Sequence, residues 1–117
     1  MFNRELIRKA ESGDTEAMRE LAVEYLKKQD LDNAIKWIGE AAELGNTEAM
    51  AELADVYRKV RRYETAFEWE EKAAYQGRAA SMYNLSVCYR DGLGVSANSE
   101  KHKYWYAKAK ENGFPLS

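Results

Sequence analysis

The apolar residues of the chain recur with helical spacing. Ala17, Met18, Leu21, Ala22 and Tyr25 fall at i, i+1, i+4, i+5 and i+8, which is one stripe along one helix. Ala34, Ile35, Ile38, Ala41 and Ala42 form a second stripe. No segment alternates strictly between apolar and polar, as a half-buried strand would. Asp14 or Asn46 precedes the first type of stripe, where a short polar side chain caps orphan N–H groups. Gly45 or Gly77 follows the second type, where a left-handed C-terminal cap fits. This spacing predicts helices over 2–12, 15–28, 32–43, 47–60, 64–75, 79–90 and 99–111, and hence an all-α chain.

The two stripes are halves of a repeat. Gly13-Asp14-Thr15-Glu16-Ala17-Met18-Arg19-Glu20-Leu21-Ala22 returns 32 residues later as Gly45-Asn46-Thr47-Glu48-Ala49-Met50-Ala51-Glu52-Leu53-Ala54. Tyr25 then matches Tyr57, Trp37 matches Trp69, and Ala41-Ala42 matches Ala73-Ala74. Residues 13–44 and 45–76 agree at 14 of 32 positions, where chance would give about two or three. A third copy begins at Gly77, with Met82, Leu85 and Tyr89 in register. Beyond Tyr89 the offset grows to 36, so that Trp105 follows Trp69 and Ala109 follows Ala73. The four added residues belong to the Gly-, Ser- and Asn-rich stretch 91–98, a loop. Residues 2–12 read as a half unit. The chain is thus one domain, 1–117, of units 13–44, 45–76 and 77–113. Ala22, Ala34 and Ala42 let helix axes approach towards the lower end of ~8–10 Å, and Leu21, Tyr25 and Trp37 fill the gaps. A single helix pair cannot bury both faces, so the pairs stack around a continuous core.

Composition narrows the chemistry. Lys plus Arg is 18 and Asp plus Glu is 20, a net charge of −2, so there is no global field suited to a polyanion. Hydrophobic residues make up 45% of the chain, too many for a disordered segment. No apolar run approaches the ~20 residues of a membrane span. The charged start, Asn3-Arg4-Glu5-Leu6-Ile7-Arg8-Lys9, is unlike a secretory signal, so a cytoplasmic location is expected, or a secreted one if a signal has been removed. One cysteine, Cys88, and one histidine, His102, leave few ways to bind a metal or activate a nucleophile. No catalytic residue, metal or cofactor is expected.

The pattern Gly-(Asp/Asn)-x-x-Ala-Met-x-x-Leu-Ala-x-x-Tyr, followed by Ala-x-x-Trp-x-x-x-Ala-Ala-x-x-Gly, resembles the Sel-one-like repeat, a relative of the tetratricopeptide repeat. The third unit is the most similar, with Met82-Tyr83-Asn84-Leu85, Asp91-Gly92-Leu93-Gly94-Val95 and Tyr104-Trp105-Tyr106-Ala107. The first two units lack the Gly-x-Gly-Val loop, His102 and Lys110 replace small residues of the last helix, and Arg78 replaces the capping residue of the third unit. The resemblance implies a right-handed α-solenoid of about seven stacked antiparallel helices. It also implies a non-catalytic module that holds other proteins as an adaptor, scaffold or regulator, often in bacteria.

By resemblance to tetratricopeptide grooves, the first helix of each unit supplies the partner-binding face. Its residues are Glu16, Arg19, Val23, Leu26 and Lys27, then Glu48, Ala51, Asp55, Arg58 and Lys59, then Ala80, Tyr83, Val87, Arg90 and Asp91. Five bases and four acids make this face mixed in charge and amphipathic, suited to a protein or peptide rather than a nucleic acid; an ordinary solvated helix face carrying i, i+4 pairs is the bland alternative. Other features read as structural. Arg58-Lys59-Val60-Arg61-Arg62 lies at a helix C-terminus, where cations offset the dipole. Gly92-Leu93-Gly94 follows a helix and lacks the Lys-Ser/Thr of a phosphate loop. The three tryptophans recur as core residues, and Glu70 and Glu71 point in different directions. The expected function is therefore steric: an adaptor, or an inhibitor such as a bacterial immunity protein opposing one toxin. The alternative is a self-associating module that packs through the C-terminal helix with Tyr104, Tyr106 and Phe114. The chain itself is expected to be a monomer or a weak homodimer.

Overall fold

A computed structural model describes residues 3–116. Seven α-helices follow one another: α1 (Arg4–Glu11), α2 (Thr15–Lys27), α3 (Leu31–Glu43), α4 (Thr47–Lys59), α5 (Tyr63–Tyr75), α6 (Ala79–Asp91) and α7 (Ser99–Glu111). No strand occurs among the described residues. The all-α fold expected from the stripes is the one observed. Phe2, where the first helix was expected to begin, and Met1 and Ser117 at the ends of the expected domain, lie outside the described residues.

Local chemistry accounts for the helix ends. Asn3 accepts from the Glu5 and Leu6 N–H groups and starts α1 at Arg4. Asp14 accepts from Glu16 and Ala17, and Asn46 from Ala49 at 2.9 Å, as the repeat implied. α3 begins one residue earlier than the stripe suggests, because the capping side chain is Asp30, which accepts from the Asn33 N–H. Arg78 supplies no side-chain cap to α6. After α3, Gly45 donates to Ala42 and Asn46 to Ala41, a Schellman turn with Gly45 at φ 95°. The same turn closes α2 and α4, but there Gln29 (φ 61°) and Arg61 (φ 64°) occupy the left-handed position. That conformation costs a residue with a Cβ about 1–2 kcal/mol, of which the extra unfolded-state entropy of glycine would return a part. Gln29→Gly and Arg61→Gly are each expected to stabilise the chain by about 0.5–1 kcal/mol, read as a higher midpoint in urea.

The chain packs as two compact units, divided between Leu53 and Ala54 inside α4. In the first, α2 packs against both α1 and α3. Its core holds Ala10, Met18, Leu21, Ala34, Trp37, Ile38, Ala42 and Leu53, all buried. In the second, α6 packs against both α5 and α7. There Ala74, Met82, Leu85, Tyr89, Trp105 and Ala109 form one cluster, with Phe67, Tyr83, Val95, Phe114 and Leu116 packed on it. The register explains the choice of residues: Leu21, Leu53 and Leu85 recur every 32 positions and are each at most 2% exposed. Trp37 and Trp105 are buried, as core residues should be, whereas Trp69 is only half-buried. Lys110, at the register of Ala42 and Ala74, is exposed. His102 is half-buried, and its Nδ1 lies 2.9 Å from the Ser86 carbonyl oxygen.

The loop after α6 carries the inserted residues. Gly92 is left-handed at φ 71° and ends the helix. Gly94 (φ 74°) then brings the loop against the start of α5, backbone to backbone with Tyr63.

Candidate functional site

The faces of α2, α4 and α6 carry every residue of the expected binding surface. In the first unit, Arg19 is half-buried and lies between two carboxylates. Its Nε and Nη2 donate to the two oxygens of Glu52 at 2.7 and 2.9 Å, a bidentate fork. Its Nη1 donates to Glu16 at 2.7 Å. The other Glu16 oxygen accepts from Asn46 Nδ2 at 2.8 Å, and the same Nδ2 donates to the Thr15 hydroxyl. Hydrogen bonding to Glu52, above all, raises the affinity of the Arg19 guanidinium for its proton. The Asn46 amide first, and Arg19 second, hold the exposed Glu16 carboxyl below its ordinary range. Beyond this network, Val23 and Leu26 are 42% and 38% exposed, with Lys27 paired to Glu24 at 3.5 Å. Glu48 is exposed and engaged in a contact of its own; Ala51 is half-buried.

In the second unit, Asp55 pairs with Arg58 at 3.4 Å and with Lys59 at 3.2 Å. Arg58 also donates to Glu70 at 2.6 Å. Two of the four cations in the run 58–62 are thus held by carboxylates, while Arg61 and Arg62 are exposed. Tyr83 is half-buried and stacks on Phe114, with ring centroids 4.7 Å apart and planes 11° apart. Ala80 and Val87 are half-buried, and exposed Arg90 donates to its neighbour Asp91 at 3.0 Å. The Asp91 bond holds Arg90 more firmly protonated, and Arg90 lowers the Asp91 carboxyl in turn.

In each unit the charges of these helices are therefore largely neutralised within the chain, and the most exposed apolar side chains among the expected binding residues, Val23 and Leu26, are both on α2. Two partners escaped the sequence reading, Glu52 and Glu70. Glu70 had a signal: it occupies the register of Ile38, a core position, while Arg58 occupies that of Leu26. A charge in a core slot calls for an opposite charge nearby.

Cys88 is buried, and burial pushes its thiol up to about 11, away from the reactive thiolate. The His102 ring nitrogen is turned to the Ser86 carbonyl. Among the described residues, no group of three or more His, Cys, Asp or Glu side chains is placed to hold a metal ion, and no helix is long and apolar enough to cross a membrane.

The Sel1 repeat model matches residues 15–46, 47–77 and 79–114. A Sel1 repeat protein from Oxalobacter formigenes superposes with a TM-score of 0.81 at 36% identity, over 93% of this chain and 88% of that one. The protective antigen c5321 of uropathogenic Escherichia coli, which displays an SLR fold, superposes with a TM-score of 0.85 at 29% identity. That match covers 92% of this chain and 25% of c5321, so this chain spans a quarter of that protein. No curated protein matches the chain. Sel1-type repeats generally mediate protein–protein interactions, and proteins built from them are typically non-catalytic.

Proposed function

The chain belongs to the Sel1 repeat family, and from that premise we propose that it is a non-catalytic adaptor or steric inhibitor that holds a protein or peptide partner along the faces of α2, α4 and α6. The observation that carries this reading is the pair Val23 and Leu26. Both are substantially exposed apolar side chains on a face whose charges already have partners within the chain. Charges paired in advance cost less to cover than lone charges would, and the apolar residues supply the favourable burial. The rows of Glu16 and Arg19, and of Asp55 and Arg58, then set register and exclude mismatched partners more than they add affinity. Within each compact unit the helices rest on a packed core and present their surface preformed, so ordering falls mainly on the partner.

The test replaces exposed residues that carry little of the fold: Val23→Glu, Lys59→Glu and Arg90→Glu together. Each is exposed in the folded chain. Proteins co-purifying with the parent chain from native lysate are expected to be lost with the triple variant, while its unfolding free energy stays within about 1.5 kcal/mol of the parent, about 0.5 for each surface change. Retention of the same partner at the same salt would remove these faces from consideration.

A further inference from the structure

Trp37 and Trp105 stand at equivalent positions of the repeat, yet their surroundings differ. In the second compact unit Trp105 is flanked by two tyrosine edges. Tyr75 meets it with ring centroids 5.3 Å apart and planes at 86°, and Tyr104 at 5.2 Å and 89°. Both are edge-to-face contacts of the kind aromatic rings favour. In the first unit the same two register positions, 64 and 68 residues earlier, hold Glu11 and Lys36. Among the described residues Trp37 therefore has neither ring beside it, and a crevice of 410 Å³ opens there. Its lining includes Glu11, Met18, Lys36, Trp37, Glu40 and Leu44. Gly13 also lines it, and a Cβ added there would meet nothing within 4 Å. The volume falls in the range of ligand-sized clefts, roughly 300–1,000 Å³.

We infer that this crevice seats an aromatic side chain of a partner protein, one flanked by basic residues. The fold itself supplies the template for the ring: what Tyr75 does beside Trp105 from within the chain, a partner does beside Trp37 from outside. The rim supplies the preference for flanking cations. Glu11 and Glu40 contribute two carboxylates against the single ammonium of Lys36, which lies 5.2 Å from the Trp37 ring centroid and is engaged there. A neutral or acidic neighbour would leave the net negative charge of the rim unmatched. The seat lies on α1 and α3 with Met18 of α2 at its floor. It does not include the Val23 and Leu26 surface, so it stands or falls independently of the function proposed above.

The experiment follows the three indole N–H signals of ¹⁵N-labelled protein during titration with the end-blocked tripeptide Lys-Tyr-Lys. The Trp37 signal is expected to shift and saturate while those of Trp69 and Trp105 stay in place. Lys-Ala-Lys should leave Trp37 unmoved, and Glu-Tyr-Glu should bind about fivefold more weakly. Glu11→Tyr, which puts at position 11 the residue found at position 75, should abolish the response by filling the seat. Glu40→Lys should weaken it by about fivefold without filling anything, and serves if the tyrosine variant folds poorly. An immobile Trp37 signal, equal movement of all three indoles, an undiminished response in both variants, or no discrimination between the two tyrosine peptides would overturn the inference. So would a Trp37 shift that appears on concentrating the protein alone and vanishes in Tyr104→Ala, since a second copy would then fill the crevice.

Discussion

Replacing Arg58 by alanine is expected to destabilise the chain by about 3–5 kcal/mol, because it strands a buried carboxylate. Glu70 is 1% exposed, and its Oε2 accepts from Arg58 at 2.6 Å. Its Oε1 is buried with no hydrogen-bond partner among the described residues, so Arg58 is the group that offsets its charge. Leu26 and Ile38 hold the same two register positions in the first unit, Ile38 at 2% exposure and Leu26 at 38%. An apolar pair therefore fits this slot of the repeat. The double variant Arg58→Leu, Glu70→Ile should return the stability to within about 1 kcal/mol of the parent, or exceed it, since well-packed apolar residues often equal a buried ion pair. Urea unfolding followed by tryptophan fluorescence reads both numbers. A loss below about 1 kcal/mol for Arg58→Ala would show that Glu70 finds its compensation elsewhere.

Gly94→Ala is expected to cost about 2–4 kcal/mol, the sum of a backbone clash and left-handed strain. A Cβ at position 94 would lie 2.1 Å from the Tyr63 carbonyl oxygen, 2.5 Å from its carbon and 3.0 Å from the Glu64 nitrogen. These are main-chain atoms at the first turn of α5, which cannot swing aside as the end of a long side chain would. Gly45 gives the control. It also has a positive φ, 95°, but a Cβ there meets nothing within 4 Å. Gly45→Ala should therefore cost only the conformational term, about 1–2 kcal/mol. Equal losses for the two variants would mean that the loop moves away from α5 without cost.

Most of the helical framework was legible because its causes are local. A stripe such as Ala17, Met18, Leu21, Ala22 and Tyr25 carries its own period, and Asp14 and Asn46 cap within three residues of themselves. The copy 32 residues on confirmed the period, and the same leucine of each unit is buried. The candidate face was legible as a set of positions but not as a set of available groups. Arg19 reads as a charge free for a partner until Glu52, 33 residues away, closes on it. Tyr83 reads as an open aromatic anchor until Phe114, from beyond the last helix, stacks against it. Gly92 and Gly94 look alike in the loop, yet Gly92 ends a helix while Gly94 lets two backbones touch.

Helix positions, caps and the beat of the repeat followed from residues within one or two turns of each other, where hydrogen bonding and amphipathic spacing act without knowledge of the rest of the chain. Whether Arg19 and Glu70 are matched from a neighbouring helix, which glycine bears a contact, and whether a preceding helix closes the flank of a tryptophan depend on pairs separated by 12 to 33 residues, such as Arg58 with Glu70 and Arg19 with Glu52. Those pairings come into being when the helices pack, because desolvation and contact at a core position are set by whatever side chain arrives from across the interface.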